Sequence, residues 1–325
     1  MNAPAHPYDA LTPDRVLDAV EALGLRPDGR LLALNSYENR VYQIGIEDDR
    51  FVVAKFYRPA RWDDAAILEE HAYALALAEA EIPVVAPLML EGRTLHHDGP
   101  FRYAVFPRRG GRAPSLDNPE HLTWLGRFLG RIHLLGAARR FEHRPRVSPA
   151  DGRSALAYLL AEAVPDALAH NYRAAAEPLL DAVEAAFERV GPYRTLRLHG
   201  DCHAGNVLWT DAGPHFVDLD DCRNGPAVQD LWMLLSGTRE EMEGQLRALL
   251  EGYREFYDFD PLELHLVEAL RALRLITYSA WLARRWDDPA FPMHFPWFHT
   301  ARYWEDQLQT LREQRERLAE PPLAL

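Results

Sequence analysis

The hydrophobic pattern of this chain changes period near residue 107, and that switch constrains the fold more than any single motif. Ahead of it lie short runs rich in β-branched and aromatic residues, LLAL, VYQIGI, RFVVAKFY and FRYAVF, with Glu47, Asp48 and Asp49 turning the chain between the second and third. Between the third and fourth runs, WDDAAILEEHAYALALAEAEI reads as one long helix started by Asp63 or Asp64 and stopped at Pro83. Thr12, Pro13 and Asp14, followed by Val16, Leu17, Val20 and Leu23 with Gly24 beyond, spell a shorter capped helix. After the connector PRRGGR, Leu122, Leu125, Phe128, Leu129 and Ile132 recur at helical spacing, and helical patterning continues to Val190 and again from Asp230 onward. One stretch breaks it: in LRLHGDCHAGNVLWTDAGPHFVDL the strands NVLW and HFVDL flank the loop TDAGP. The expected class is therefore α+β. Residues 1–107 form a small antiparallel sheet carrying one long helix, and residues 108–325 a larger, mainly helical lobe with an inserted hairpin. The closing EPPLAL reads as a loose tail.

A length of 325 residues fits two such lobes, and 48% hydrophobic residues suffice to build both cores. The net charge of −13, with no sustained basic block, excludes nucleic acid as a partner. Neither a signal peptide nor an apolar run of membrane-spanning length is present, so a soluble cytoplasmic protein is expected. Cys202 and Cys222 are too few for a disulfide framework. Of the 36 basic residues, Lys55 is the only lysine. Arginine would serve solubility equally well; a compact point charge reaching into a confined site would not be served by it.

The densest chemistry lies in LHGDCHAGNVLW. His199, Asp201 and His203 could ligate zinc, but the chain downstream supplies carboxylates, and an oxygen-rich set suits magnesium better. Cys202 and His203 could form a thiol and base, yet neighbours on an extended chain point apart. The phosphoryl-transfer reading explains more positions. Asp201 is followed five positions later by Asn206, and Asp218 ends the second strand of the hairpin. A hairpin brings an amide oxygen and a carboxylate together on a magnesium ion, leaving Asp201 to orient an acceptor hydroxyl. Such a loop also calls for a strand lysine and a helix glutamate upstream, and Lys55 with Glu69 or Glu70 stand there in the right order.

LHGDCHAGNVLW and FVDLDDCRNGPAVQDLWMLL resemble the motifs of the choline kinase and aminoglycoside phosphotransferase superfamily, in which His-Gly-Asp replaces the His-Arg-Asp of protein kinases. Together with NSYENRVYQI and VVAKFYRPARW they are similar, more narrowly, to the bacterial serine/threonine protein kinases of that superfamily. The resemblance implies a bilobal protein-kinase-like fold whose first lobe binds ATP. Asp201 and Asp218 would be catalytic, with Asn206 and Asp218 holding Mg2+. Lys55 would contact the α- and β-phosphates, paired with Glu70, with Glu69 as the fallback. Ser36 and Asn39 match the loop over the phosphates, and the backbone at Val105, Phe106 and Pro107 would meet adenine. Asp230 would brace the catalytic loop and His199 would be structural. The implied activity is Ser/Thr phosphorylation of a protein substrate, and of the kinase itself, in a stress response; separately, a monomer or weak homo-oligomer is expected.

Departures from the pattern carry their own expectations. LNSYENRVYQ holds no glycine, so Ser36 and backbone N–H groups must cover the phosphates. Between Asp218 and the helix at Asp230 there is no room for an activation loop with a phosphosite. Trp281, Trp286, Phe291, Phe295, Trp297, Phe298, Tyr303 and Trp304 suit either a core or a substrate groove. Asp220 and Asp221 add negative charge that suits a cationic small molecule or a basic peptide. A small-molecule phosphotransferase acting on an amino alcohol or aminoglycoside therefore stays open, as does a nucleotide-binding pseudokinase, against which the intact Lys55, Asp201, Asn206 and Asp218 count.

Overall fold

The computed structural model describes residues 6–325. In chain order it carries α1 (Pro13–Glu21), β1 (Pro27–Ala33), β2 (Arg40–Ile46), β3 (Arg50–Phe56), α2 (Asp64–Glu79), β4 (His96–Asp98) and β5 (Phe101–Pro107). There follow α3 (Pro119–Gly136), α4 (Pro149–Glu162), α5 (Asp166–Val190), β6 (Leu196–Leu198), β7 (Val207–Thr210), β8 (Gly213–Phe216) and β9 (Arg223–Gly225). The chain ends with α6 (Val228–Trp232), α7 (Arg239–Tyr253), α8 (Val267–Ala283), α9 (Ala290–His294) and α10 (Ala301–Ala319). It divides into two compact units: residues through Ser115 with 141–144 and 203–222, and residues 116–140 with 145–202 and 223–325.

The first unit is built on an antiparallel sheet of order β1-β2-β3-β5-β4. Asp48 and Asp49 make the β2–β3 turn in left-handed conformation, which short polar side chains tolerate. Strand alternation decides what faces where. Val52, Ala54 and Phe56 pack with Val16 and Val20 of α1 into one core. On the opposite face Lys55 pairs across the ladder with Ala104, which packs against Ile67 of α2. Asp63 caps α2 by accepting from the Ala66 N–H.

The hairpin β7–β8 belongs to this unit, although chain order alone puts it within 108–325. Phe216 donates to the Pro83 carbonyl at 2.7 Å and accepts from the Val85 N–H at 2.9 Å, while Arg112 and Trp209 exchange backbone hydrogen bonds. These long-range backbone bonds, not sequence proximity, set its place.

In the second unit α3 and α7 approach so closely that a Cβ on Gly126 would lie 1.9 Å from the Leu249 carbonyl oxygen. Helices α4, α5, α8 and α10 pack together beside them, and β6 pairs with β9. The aromatic stretch is mainly core: Phe291, Phe298 and Trp304 are fully buried, whereas Trp297 is exposed. A short helix, α9, forms within its proline-rich part. The tail is not loose, contrary to expectation. Arg239 donates to the carbonyls of Pro321 and Pro322, Glu243 accepts from the Ala324 N–H, and Leu323 is buried. No helix among the described residues is long and apolar enough to cross a membrane.

Candidate active site

The first unit gathers its charges around Lys55. Its ammonium lies 3.1 Å from Asp220, 3.2 Å from Asp218 and 3.5 Å from Glu70, and 4.9 Å from the centroid of the Tyr57 ring. Burial alone would pull this ammonium down; the carboxylates of Asp220, then Glu70 and Asp218, outweigh it and hold it well above the usual lysine value. Burial likewise pushes the Glu70 carboxyl up to about 7, against the pull of Lys55. Glu70, not Glu69, is thus the partner of Lys55. Glu69 accepts the N–H groups of Glu142 and His143, each at 2.7 Å, and so holds the segment that delivers Arg144. Arg144 is buried, lies 3.8 Å from Glu70, donates to the carbonyls of Cys222 and Asp220, and stacks 4.0 Å over Trp62.

Asp220 is pinned from a second side. Arg61 pairs with Asp220, reaches Asp221 at 2.7 Å and lies 3.6 Å from Glu38. The carboxylates expected to present free negative charge are therefore met by cations inside the unit. Burial would raise the Asp220 carboxyl, but Arg61, Lys55 and Arg144 hold it well below the usual carboxylate range.

Asp218 stands two residues past β8 rather than at the strand's end. It adopts φ 61°, ψ 64°, a left-handed conformation uncommon for a residue with a side chain, and that bend leaves its carboxylate half-exposed. At the same end of the hairpin the Val217 N–H donates to the Asn206 carbonyl at 3.0 Å, which fixes Asn206 beside the strand leading to Asp218. His203 accepts from the Gly205 N–H and caps the short turn Ala204–Asn206.

The loop before β2 is braced rather than mobile. Arg58 donates its backbone N–H to Asn39 Oδ1 at 3.0 Å and its guanidinium to the carbonyls of Glu38 and Tyr37. Asn39 is buried and locks the loop from inside, while Ser36 stays half-exposed. The Val105 side chain is buried in the sheet core and its carbonyl accepts from the Leu88 N–H at 2.7 Å; Phe106 packs against Tyr57, Ile67 and Leu95. The Val105 side chain is structural, so that position can offer a ligand only backbone, whereas Phe106 is half-buried.

In the second unit Asp230, fully buried in α6, accepts from the His199 and Gly200 N–H groups at 2.8 Å each and pairs with His133 at 3.1 Å. Tyr253 continues the chain of contacts, its hydroxyl 2.7 Å from His133 Nδ1. Burial would raise the Asp230 carboxyl, but His133, then His199 and the Gly200 N–H, keep it below the ordinary value. Gly200 has φ +85°, the conformation that suits glycine where ordinary protein kinases carry arginine. The brace thus shapes the turn immediately before Asp201. Asp201 itself meets Arg274 of α8 at 2.7 Å. Cys202 is buried, and burial pushes its thiol well above the usual value, so it is no thiolate nucleophile. Among the described residues no group of three or more His, Cys, Asp or Glu is placed to hold a metal ion.

Sequence reasoning did not single out Arg61, Arg144, His133, Tyr253 or Arg274. Arg61 lies in a quoted motif, VVAKFYRPARW, but in a chain this rich in arginine nothing marks one guanidinium for a special place.

Residues 30–267 match the family described as "Phosphotransferase enzyme family". Over its full length the chain is 49% identical to stress response kinase A of Escherichia coli K12, covering 99% of that protein. It is 47% identical, with the same coverage, to serine/threonine protein kinase RdoA of Salmonella typhimurium. Among solved structures, an amicoumacin kinase in complex with AMP-PNP, Ca2+ and Ami aligns over 96% of this chain and 95% of its own with TM-score 0.75 at 17% identity. A microcompartment-associated aminopropanol kinase aligns over 93% and 96% with TM-score 0.68 at 18% identity. These two likenesses are of fold; the family match and the full-length relatives go further, and by them the chain belongs to the phosphotransferase enzyme family.

Proposed function

We propose that this protein is a serine/threonine protein kinase that transfers the γ-phosphoryl group of ATP, with Mg2+, to protein hydroxyls including its own, in a bacterial stress response in the cytoplasm. The observation that carries the reading is the chain's single lysine, buried and held by Glu70 and Asp220 with Asp218 in reach. In this reading Lys55 meets the α- and β-phosphates, and the braced loop at Ser36 covers them with hydroxyl and N–H donors. The oxygen donors of Asn206 and Asp218 fit a hard divalent cation, which they would hold; bound there, the ion neutralises charge on the phosphates. Asp201 accepts the hydrogen bond of the acceptor hydroxyl and aligns it for attack as ADP departs. Asp230 acts through the loop backbone and touches no reactant.

The protein acceptor and the stress setting are supported by the names of the full-length relatives. The test is incubation with labelled ATP and Mg2+, alone, with casein, and with ethanolamine or an aminoglycoside. Label on serine or threonine of casein and of the protein itself is expected. Label on the amines alone would overturn the protein-kinase reading, and ATP binding without any transfer would leave a pseudokinase.

A further inference from the structure

We propose that Arg274 selects the acceptor by charge, barring ammonium-bearing acceptors from Asp201 and favouring hydroxyls flanked by carboxylates. The inference rests on the reading of Asp201 as the residue that meets the acceptor hydroxyl. Two separate observations support it, one in each unit.

The first is the pairing of Asp201 itself. The Arg274 guanidinium lies 2.7 Å from Asp201 Oδ1, with the arginine side chain 43% and the aspartate side chain 21% accessible. A cationic amino alcohol or aminoglycoside is drawn to a bare carboxylate, but here that attraction is already met by a guanidinium of the protein itself. Bringing an ammonium group up to Asp201 would also set it against the guanidinium. An acceptor hydroxyl with a neighbouring carboxylate meets the opposite situation. A half-exposed ion pair in water has little net worth, so the guanidinium can pass from Asp201 to the incoming carboxylate. Asp201 Oδ1, no longer shared with that guanidinium, can then accept the hydroxyl's hydrogen bond. Arg271, the preceding arginine on α8, is engaged by Glu268 at 3.4 Å.

The second observation concerns the acids of the first unit. Asp220 and Asp221 suggest, as bare sequence, an acidic site for cationic acceptors. Arg61 spans both, and Lys55 and Arg144 also act on Asp220. That internal pairing offsets much of the negative charge the bare sequence offers a cation.

The test uses the full-length protein with ATP and Mg2+ and two serine peptides, identical except that the serine is flanked by Glu in one and by Arg in the other, with ethanolamine as a third acceptor. The wild type is expected to favour the Glu peptide in kcat/KM by about tenfold or more and to leave ethanolamine unmodified. Arg274→Gln should erase the preference and Arg274→Glu invert it, with KM for ATP within about twofold in each. A merely structural role would lower both peptides together and could not invert their order. A wild type blind to flanking charge, a preference unchanged in Arg274→Glu, or ethanolamine accepted ahead of both peptides would overturn the proposal. So would absence of transfer to either peptide, which takes the protein-kinase reading with it. A charge-blind wild type whose transfer Asp201→Asn abolishes would remove the inference alone and leave that reading standing.

Discussion

Lys55 shows how little a single residue type can be exchanged once its surroundings are fixed. Its ammonium is enclosed by Asp220, Asp218, Glu70 and the Tyr57 ring, each within the reach of a point charge. A planar guanidinium needs more room and points its donors in a fixed fork. Lys55→Arg is therefore expected to keep the fold and to lower turnover by about a hundredfold or more; urea unfolding and a phosphoryl-transfer assay on the same sample check both halves. Turnover near the wild-type value would remove the assigned role. At this scale the lysine was legible because it is alone among arginines. The choice between Glu69 and Glu70 was not. Adjacent helical residues point about 100° apart, and α2 is apolar on too many sides for its pattern to say which faces the sheet. Arg61 and Arg144 were illegible for a different reason, since Arg61 finds Asp220 and Asp221, and Arg144 finds Glu70, across more than 70 positions of chain.

Among the elements, α3 and α7 carry the tightest contact. Cβ atoms on Gly126 and Gly252 would fall 1.9 Å and 2.0 Å from backbone carbonyl oxygens of the facing helix. Backbone cannot rotate aside as a side chain can, so Gly126→Ala should push the helices apart and destabilise the protein by about 3 kcal/mol. A shift in the urea midpoint at unchanged slope would show it; an unshifted midpoint would contradict the packing described. The strands and long helices were readable from their periods, and the caps at Thr12 and Asp63 from their side chains. The left-handed bend at Asp218 and the anchored tail were not. One depends on where β8 ends, the other on Arg239 and Glu243 presented by a distant helix.

For the molecule as a whole, stability should depend on pH through Glu263. Burial, reinforced by Asp260, raises its carboxyl to about 7, although its oxygen accepts the Val228 N–H at the start of α6. The folded protein thus holds this proton more tightly than the unfolded chain, whose carboxyl titrates at its ordinary, lower value. Charging Glu263 therefore costs stability progressively as pH rises between those two values, and the full cost persists above about 7. Glu263→Gln keeps the acceptor and removes the charge. It should exceed the wild type by on the order of 2 kcal/mol at alkaline pH and match it only below the ordinary carboxyl value, where Glu263 is neutral in the folded and the unfolded chain alike. An equal difference at both pH values, read by urea unfolding, would contradict this. The α+β class was legible at this scale, but the grouping of the hairpin and of residues 141–144 with the first unit was not. The backbone bonds of Phe216 and the reach of Arg144 cross long stretches of sequence that no local pattern records.

The central claim is that Asp201 acts on the acceptor while Lys55, with the oxygen donors of the hairpin, acts on the nucleotide. The most direct measurement compares ATP affinity with phosphoryl transfer in Asp201→Ala, by calorimetry and labelled ATP on one preparation. Affinity is expected to stay within about threefold while transfer falls by about a thousandfold. Transfer near the wild-type rate, or an affinity lost together with transfer, would contradict the division of labour proposed for these residues.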